Sequence, residues 1–266
     1  MKTLGIIAGS GTFPLTVAQA ARREGYRVVA VAHEGETHPD LAAQVDELTW
    51  IHVGELNKLI AAFKAAGVSE AVMAGGIKKV RLFGNARPDL RTLSLLARVG
   101  IKKDDSLLRA VAEELASEGI QIRSATELLS SLLTPKGLLT DRSPTSREEQ
   151  DVAFGWSLAK EIGRLDIGQC VVVKDRTVLA VEAIEGTDET IRRGGRHGRE
   201  GAVVVKVSKP QQDARFDLPT VGPKTVEVMT EVGATVLALE AGCSILLERD
   251  LLLEKARAAG ISVLGR

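Results

Sequence analysis

Along the first half of the chain, short apolar runs alternate with stretches whose apolar residues recur every three or four positions. Leu4 to Ala8 and Tyr26 to Val31 read as strands with a helix after Pro14 between them, the pattern of a βαβ unit. Leu56, Leu59, Ile60 and Phe63 fall on one helical face, Ala71 to Ala74 reads as a strand, and Leu107, Leu108, Val111 and Leu115 stripe a helix ahead of Ile120 to Ile122. Residues 1–133 are therefore expected to form an N-terminal Rossmann-like α/β domain, a parallel sheet with helices on both faces.

Between Thr134 and Ser146 the periodicity fails while Pro135, Gly137, Asp141, Ser143 and Pro144 accumulate, as in a domain linker. Ser146 then reads as a helix cap with Glu149 completing a capping box, and Val152, Trp156, Ala159 and Ile162 give that helix a buried face. Cys170 to Val173 and Val178 to Ala183, joined by Lys174 to Thr177, pattern as a hairpin. A strand at Ala202 to Val207, a helix after Gly222 and Pro223, strands near Val236 and Ile245, a helix from about Asp250 and a strand at Ile261 to Leu264 follow. Residues 147–266 are expected to form a C-terminal α/β domain around a mixed sheet.

Composition narrows the chemistry. Thirty-five basic and 35 acidic residues cancel, so no global field points to nucleic acid or an anionic membrane, and any anion must be bound locally. Twenty-six glycines beside few aromatic residues imply a core of Val, Leu, Ile and Ala. Cys170 and Cys243 lack C-x-x-C spacing and sit in apolar runs, which favours buried thiols in a reduced, cytoplasmic protein. No apolar run reaches the ~18 residues of a spanning helix, and the start is too short for a signal-peptide core.

Gly9, Ser10, Gly11 and Thr12 lie between the first strand and its helix, where backbone N–H groups and the helix dipole suit a phosphate. Pro14 stands where a third glycine of G-x-G-x-x-G belongs, so a bare tight turn is the alternative. Gly75, Gly76, Ile77 and Lys78 follow another strand and are expected at the same carboxyl edge, with Arg81 and Arg87 close behind. Of Asp104, Asp105 and Ser106, one caps the following helix, leaving Asp105 for a metal or a substrate hydroxyl. In the second half Glu182 ends a strand and Glu185, Gly186, Thr187 and Asp188 form a turn before Arg192 and Arg193. Carboxylates and arginines so placed suit a magnesium-bound phosphate; helix capping by Thr187 or Asp188 is the competing reading. A proline-stiffened loop from Lys209 to Pro223 carries Asp217 between Phe216 and Leu218, where a charge is costly without a purpose. The four histidines show no ligand spacing, and His197 falls in a Gly- and Arg-rich stretch read as a loop, Arg192 to Arg199; zinc and histidine-based nucleophilic catalysis are not expected.

Five segments carry a family resemblance: Leu4-Gly-Ile-Ile-Ala-Gly-Ser-Gly-Thr-Phe-Pro14, Lys103-Asp-Asp-Ser-Leu-Leu-Arg109, Glu161-Ile-Gly-Arg-Leu-Asp-Ile-Gly-Gln169, Val181-Glu-Ala-Ile-Glu-Gly-Thr-Asp188 and Arg215-Phe-Asp-Leu-Pro-Thr-Val-Gly222. Together they closely resemble the LpxI-type UDP-2,3-diacylglucosamine pyrophosphatases. The resemblance implies Mg²⁺-dependent hydrolysis, with Mn²⁺ as a substitute ion, of a UDP-linked diacylated glucosamine lipid to lipid X and UMP in the cytoplasmic stage of lipid A synthesis. It also implies two domains with the lipid held at their interface, and leaves room for peripheral membrane contact and self-association. By position, Asp217 matches the family's essential aspartate, and Thr12 and Gly76 match substrate-contacting turns. Asp217, Glu182 and Asp188 are the expected catalytic and metal-holding set. Gly9, Ser10, Gly11, Ile77, Asp105, Thr187, Arg192 and Lys209 complete the expected substrate contacts. Ser10 stands where a glycine is common, and Phe83-Gly-Asn85 makes the second turn less typical. A UDP-sugar-binding regulatory module without hydrolysis is the main rival, and a nicotinamide oxidoreductase a further one.

Overall fold

The β-branched and alanine-rich runs pair as strands because both faces of each sheet are covered by helices. The computed structural model describes residues 2–76, 86–99, 104–211, 213–216 and 218–266. Two units result, one made of Met1–Ser131 with Asp213–Phe216, the other of Leu132–Gln212 with Asp217–Arg266.

In the first unit β1 (Thr3–Ala8), β2 (Arg27–His33), β3 (Glu47–Ile51), β4 (Glu70–Ala74) and β5 (Gln121–Ile122) form a sheet of order β3-β2-β1-β4-β5, and every pairing is parallel. The order reverses between β1 and β4, the crevice where open α/β sheets bind ligands. The helices are α1 (Phe13–Arg23), α2 (Leu56–Ala65), α3 (Leu90–Val99), α4 (Asp104–Ser117) and the short α5 (Ala125–Leu128). One sheet face packs Val29, Val31, Ile51 and Ala71 against Leu59 and Phe63 of α2, Leu95 of α3 and Leu115 of α4. The alternate residues Leu4, Ile6, Val28 and Ala30 are equally buried on the opposite side. There α1 lies on β1, β2 and β4 and buries Val17, Ala18 and Ala21. Phe216 joins the α2–α4 face from far along the sequence. Its ring lies 4.8 Å beneath the Arg215 guanidinium, Arg215 pairs with Asp213 at 2.8 Å, and Arg109 approaches Asp213 at 3.6 Å.

The second unit holds a six-stranded mixed sheet of order β6-β13-β11-β9-β7-β8, built from β6 (Gly137–Leu138), β7 (Cys170–Lys174), β8 (Thr177–Val181), β9 (Val203–Lys206), β11 (Val236–Leu239) and β13 (Ser262–Gly265). β9, β11 and β13 run parallel, while the β7–β8 hairpin and β6 are antiparallel to their neighbours. β10 (Thr220–Val221) and β12 (Ile245–Leu246) make a separate parallel pair. Strand alternation divides the core in two. Val171, Val173, Val203, Val205 and Val236 face Val152 and Ala159 of α6 (Ser146–Arg164). Cys170, Val172, Val204, Leu237 and Val263 instead meet Ile191 of α7 (Thr187–Gly198), Met229 of α8 (Pro223–Glu231) and Leu252 of α9 (Arg249–Ala258).

Three local expectations change. Residues 134–146 are built into the second unit rather than hanging as a tether: Thr134 bonds Ser244 through backbone and hydroxyl, and Gly137–Leu138 adds an antiparallel edge to β13. The capping box sits one residue earlier, with Thr145 as cap and Glu148 at its third position. Both frames fit the sequence, and Glu148 prevails because its carboxylate also takes two bonds from Arg142 (2.7 and 2.9 Å) and one from the Thr235 hydroxyl (2.5 Å). The Gly- and Arg-rich stretch 192–198, read as a loop, belongs to α7. Its glycines cost helix propensity but admit close packing, since a Cβ on Gly194 would lie 2.6 Å from Val172 and one on Gly195 would strike Val232.

Burial pushes the Glu148 carboxyl up, yet the bonds from Thr235, Arg142 and Thr145 outweigh it and hold it below the ordinary glutamate range. A lowered carboxyl stabilises the fold above its unfolded value and loses that contribution as pH falls through the lowered one. Glu148→Gln is expected to cost about 1–3 kcal/mol at neutral pH. In denaturant melts, its gap to wild type should close as the pH drops below about 4.3; a gap constant with pH would refute the ionic account.

Candidate functional site

In the first unit the carboxyl ends of β1 and β4 carry two glycine turns that touch through their backbones. Gly9 N–H donates to Ala74 O at 2.8 Å, Ser10 N–H to Gly76 O at 2.7 Å, and the Ser10 hydroxyl to the same oxygen at 2.8 Å. A Cβ on Gly9 would stand 2.5 Å from Gly76 O, and one on Gly75, whose φ is +81°, would strike Ser10 O. Glycine is required at both positions by backbone approach. Gly11 (φ +85°) then turns the chain into α1, whose first residues follow Thr12 with no side-chain cap. The leading N–H groups of α1 therefore lack a capping side chain, as an anion-receiving helix start does. Behind the turn, Ala8 O accepts from the Thr37 hydroxyl at 2.7 Å and lies 2.8 Å from His33 Nδ1. A carbonyl only accepts, so Nδ1 carries the proton. Burial lowers the His33 pKa despite that bond, and the ring is neutral at neutral pH.

In the second unit a polar cluster gathers where β8 and β9 end. Glu182, 7% exposed, accepts the Thr187 hydroxyl on Oε1 at 2.7 Å and the Gln169 N–H on Oε2 at 3.1 Å. Lys206, the last residue of β9 and 5% exposed, donates to Thr187 Oγ1 at 2.9 Å and to Thr220 O of β10 at 2.8 Å. Asp188 takes the Thr225 hydroxyl at 3.1 Å, with Lys224 3.8 Å away. The helix begins at Gly186 without a side-chain cap, so the Thr187 hydroxyl serves Glu182 rather than the helix end. Cys170, paired in register with Lys206, is buried; burial first, then the Glu182 charge, pushes its thiol far up, so it is no nucleophile.

The structure brings Glu182, Thr187 and Asp188 into one neighbourhood and gathers Gly9, Ser10, Gly11, Thr12 and Gly76 at one edge of the other unit. Arg192 is turned toward Glu231 (3.2 Å) and Glu189 (3.5 Å), and Arg193 bonds Glu185 and Val181 O. Lys209 reaches Asp166 at 2.8 Å, and Arg87 is exposed. Ile77, Lys78, Arg81 and Asp217 lie outside the described residues; Asp105 is placed by backbone alone, in the first turn of α4. Among the described residues no three of His, Cys, Asp and Glu come together as a metal cluster. Lys206 is absent from the expected site, although a lysine inside the apolar run from Ala202 to Val207 carries the same signal of a costly charge as Asp217 does.

Comparison with known proteins finds two family models, one in each half of the chain. A family model described as the LpxI N-terminal domain matches residues 3–132, and one described as the LpxI C-terminal domain matches residues 135–264. UDP-2,3-diacylglucosamine pyrophosphatase LpxI of Caulobacter vibrioides is 34% identical over 278 residues, covering 100% of this chain and 98% of that protein. Solved structures align weakly. The biotin carboxylase subunit of a pyruvate carboxylase shares 15% identity over 68% of this chain and 36% of its own, at a TM-score of 0.28. N5-carboxyaminoimidazole ribonucleotide synthetase of Thermotoga maritima shares 15% over 70% and 42%, at 0.26. Likenesses of that size say nothing of this chain's chemistry. With both family domains matched in order across nearly its whole length, and a relative aligned end to end, the chain belongs to the LpxI family.

Proposed function

We propose that this protein hydrolyses the pyrophosphate of UDP-2,3-diacylglucosamine, giving UMP and 2,3-diacylglucosamine 1-phosphate, with Mg²⁺ as its ion. The observation that carries the reading is the end-to-end match to a relative named for that activity. The local chemistry is compatible. A pyrophosphate is polyanionic and calls for N–H donors and cations where charge develops, and the two glycine turns with the uncapped start of α1 offer such donors.

Glu182 and Asp188 present hard carboxylate oxygens, a donor type that suits Mg²⁺, which is commonly held by one or two carboxylates together with substrate phosphates. The sequence adds Asp217 to that set. When bound, the ion neutralises charge on the pyrophosphate oxygens. The chain's own residues do the rest. Thr187 and Gln169 fix the orientation of Glu182 by bonding one oxygen each, and Thr225 fixes Asp188. The backbone N–H groups at Gly11 and Thr12 hold the nucleotide phosphate. Water then forms a bond to the β phosphorus and loses a proton to solvent, the bond from that phosphorus to the bridging oxygen breaks, and UMP leaves with that oxygen. Among the described residues no helix is long and apolar enough to cross a membrane.

A ³¹P NMR assay on UDP-2,3-diacylglucosamine should show UMP appearing with Mg²⁺ or Mn²⁺ and stopping on EDTA addition. UDP-sugar binding without UMP release would instead establish a regulatory module, and activity surviving exhaustive chelation would reject the ion. Asp217→Ala should abolish turnover with its cooperative melt nearly intact; near-wild-type kcat would remove Asp217 from the chemistry. Hydrolysis in ¹⁸O-water should label the phosphate of the lipid product, whereas label in UMP would move the attack to the α phosphorus.

A further inference from the structure

The buried ammonium of Lys206 bonds two separate segments of the second unit. One hydrogen goes to the Thr187 hydroxyl and another to the Thr220 carbonyl, three residues after Asp217 in sequence. Donor and acceptor chemistry fixes the direction of the whole chain. An ammonium only donates, so Thr187 Oγ1 must accept from Lys206 and has one hydrogen left to give. That hydrogen points to Glu182 Oε1, while Gln169 N–H occupies Oε2. Glu182 therefore meets the Lys206 charge through a hydroxyl; among the described residues no carboxylate lies within 4 Å of the ammonium. Burying a lysine in an otherwise apolar strand is costly unless its donors are used. Here two of the three are used to tie separate segments, and 5% exposure leaves little of the residue for a ligand to meet.

We infer that Lys206 is a positioning residue for the hydrolysis: it acts through Thr187 on Glu182 and through Thr220 on the strand following Asp217, setting the register of the two segments. The inference rests on the hydrolysis reading above. It is tested by kcat and KM for UMP release in Lys206→Met, Thr187→Val and Thr187→Ser, each with a melting curve, and by ¹H NMR of the Thr187 hydroxyl. Misplacement of a reacting group falls on kcat, so Lys206→Met and Thr187→Val should lose on the order of 10²-fold in kcat with KM within about threefold. Thr187→Ser, which keeps the hydroxyl, should recover most of the loss seen in Thr187→Val. The hydroxyl proton, given to Glu182 by an oxygen that Lys206 fixes, should exchange slowly in wild type and markedly faster, with a shifted resonance, in Lys206→Met.

A loss confined to KM, equal rates for Thr187→Ser and Thr187→Val, or wild-type kcat in Lys206→Met would each overturn the role. If Lys206→Met does not fold, the Thr187 pair decides. If wild type releases no UMP, the hydrolysis reading fails, and the hydroxyl resonance alone decides whether Lys206 sets this register: an unchanged resonance in Lys206→Met overturns it.

Discussion

Both sheets are covered on both faces, and that constraint governs where polar chemistry can stand. Strands buried on both faces along all or nearly all of their length, as β9 and β2 are, have little lateral surface to offer a charged ligand. Functional groups are driven to the strand ends. In the first unit the result is the glycine edge, where backbone replaces side chain because two turns must approach within hydrogen-bonding distance. In the second it is the Glu182–Thr187–Lys206 cluster, where polar side chains survive burial because each is bonded. The two solutions answer the same pressure with opposite means, one by removing side chains and one by pairing them.

Much of this architecture is legible along the chain. The βαβ start, the β7–β8 hairpin and the α6 face follow from periodicity because their apolar residues are largely buried or half-buried, with Val178 of β8 an exposed exception. β3 and α3 are not legible for the complementary reason. β3 is an edge strand whose Glu47, Thr49 and Trp50 remain exposed, so its apolar content is thin. α3 exposes Leu90 and Leu93 and fully buries Leu95, which blurs the stripe. Gly194 and Gly195 mislead as loop markers because what selects them is a neighbour, Val172 or Val232, that only tertiary structure supplies.

The candidate site divides in the same way. Glycine turns after strands and a carboxylate–threonine segment are local signals, and both are read from spacing. The role of Lys206 is non-local: its partners lie 19 and 14 residues away in the chain, and sequence shows only that a charge sits where an apolar residue would be cheaper. Arg192 shows the converse, since proximity to Glu182 and Asp188 along the chain does not stop Glu231 of another helix from engaging it.

The assignment of Asp213–Phe216 to the first unit bears on how the protein is made. Phe216 packs on the apolar cluster of α2, α3 and α4, but it is synthesised well after Ser131 closes the rest of that unit. At ~5–20 residues per second the delay is on the order of 10 s. Through that interval the nascent first unit presents an unfilled apolar seat while most of the second unit is still being translated. Its last piece arrives only with the segment that leads into Asp217. The order of synthesis thus makes completion of the first unit wait on the second half of the chain.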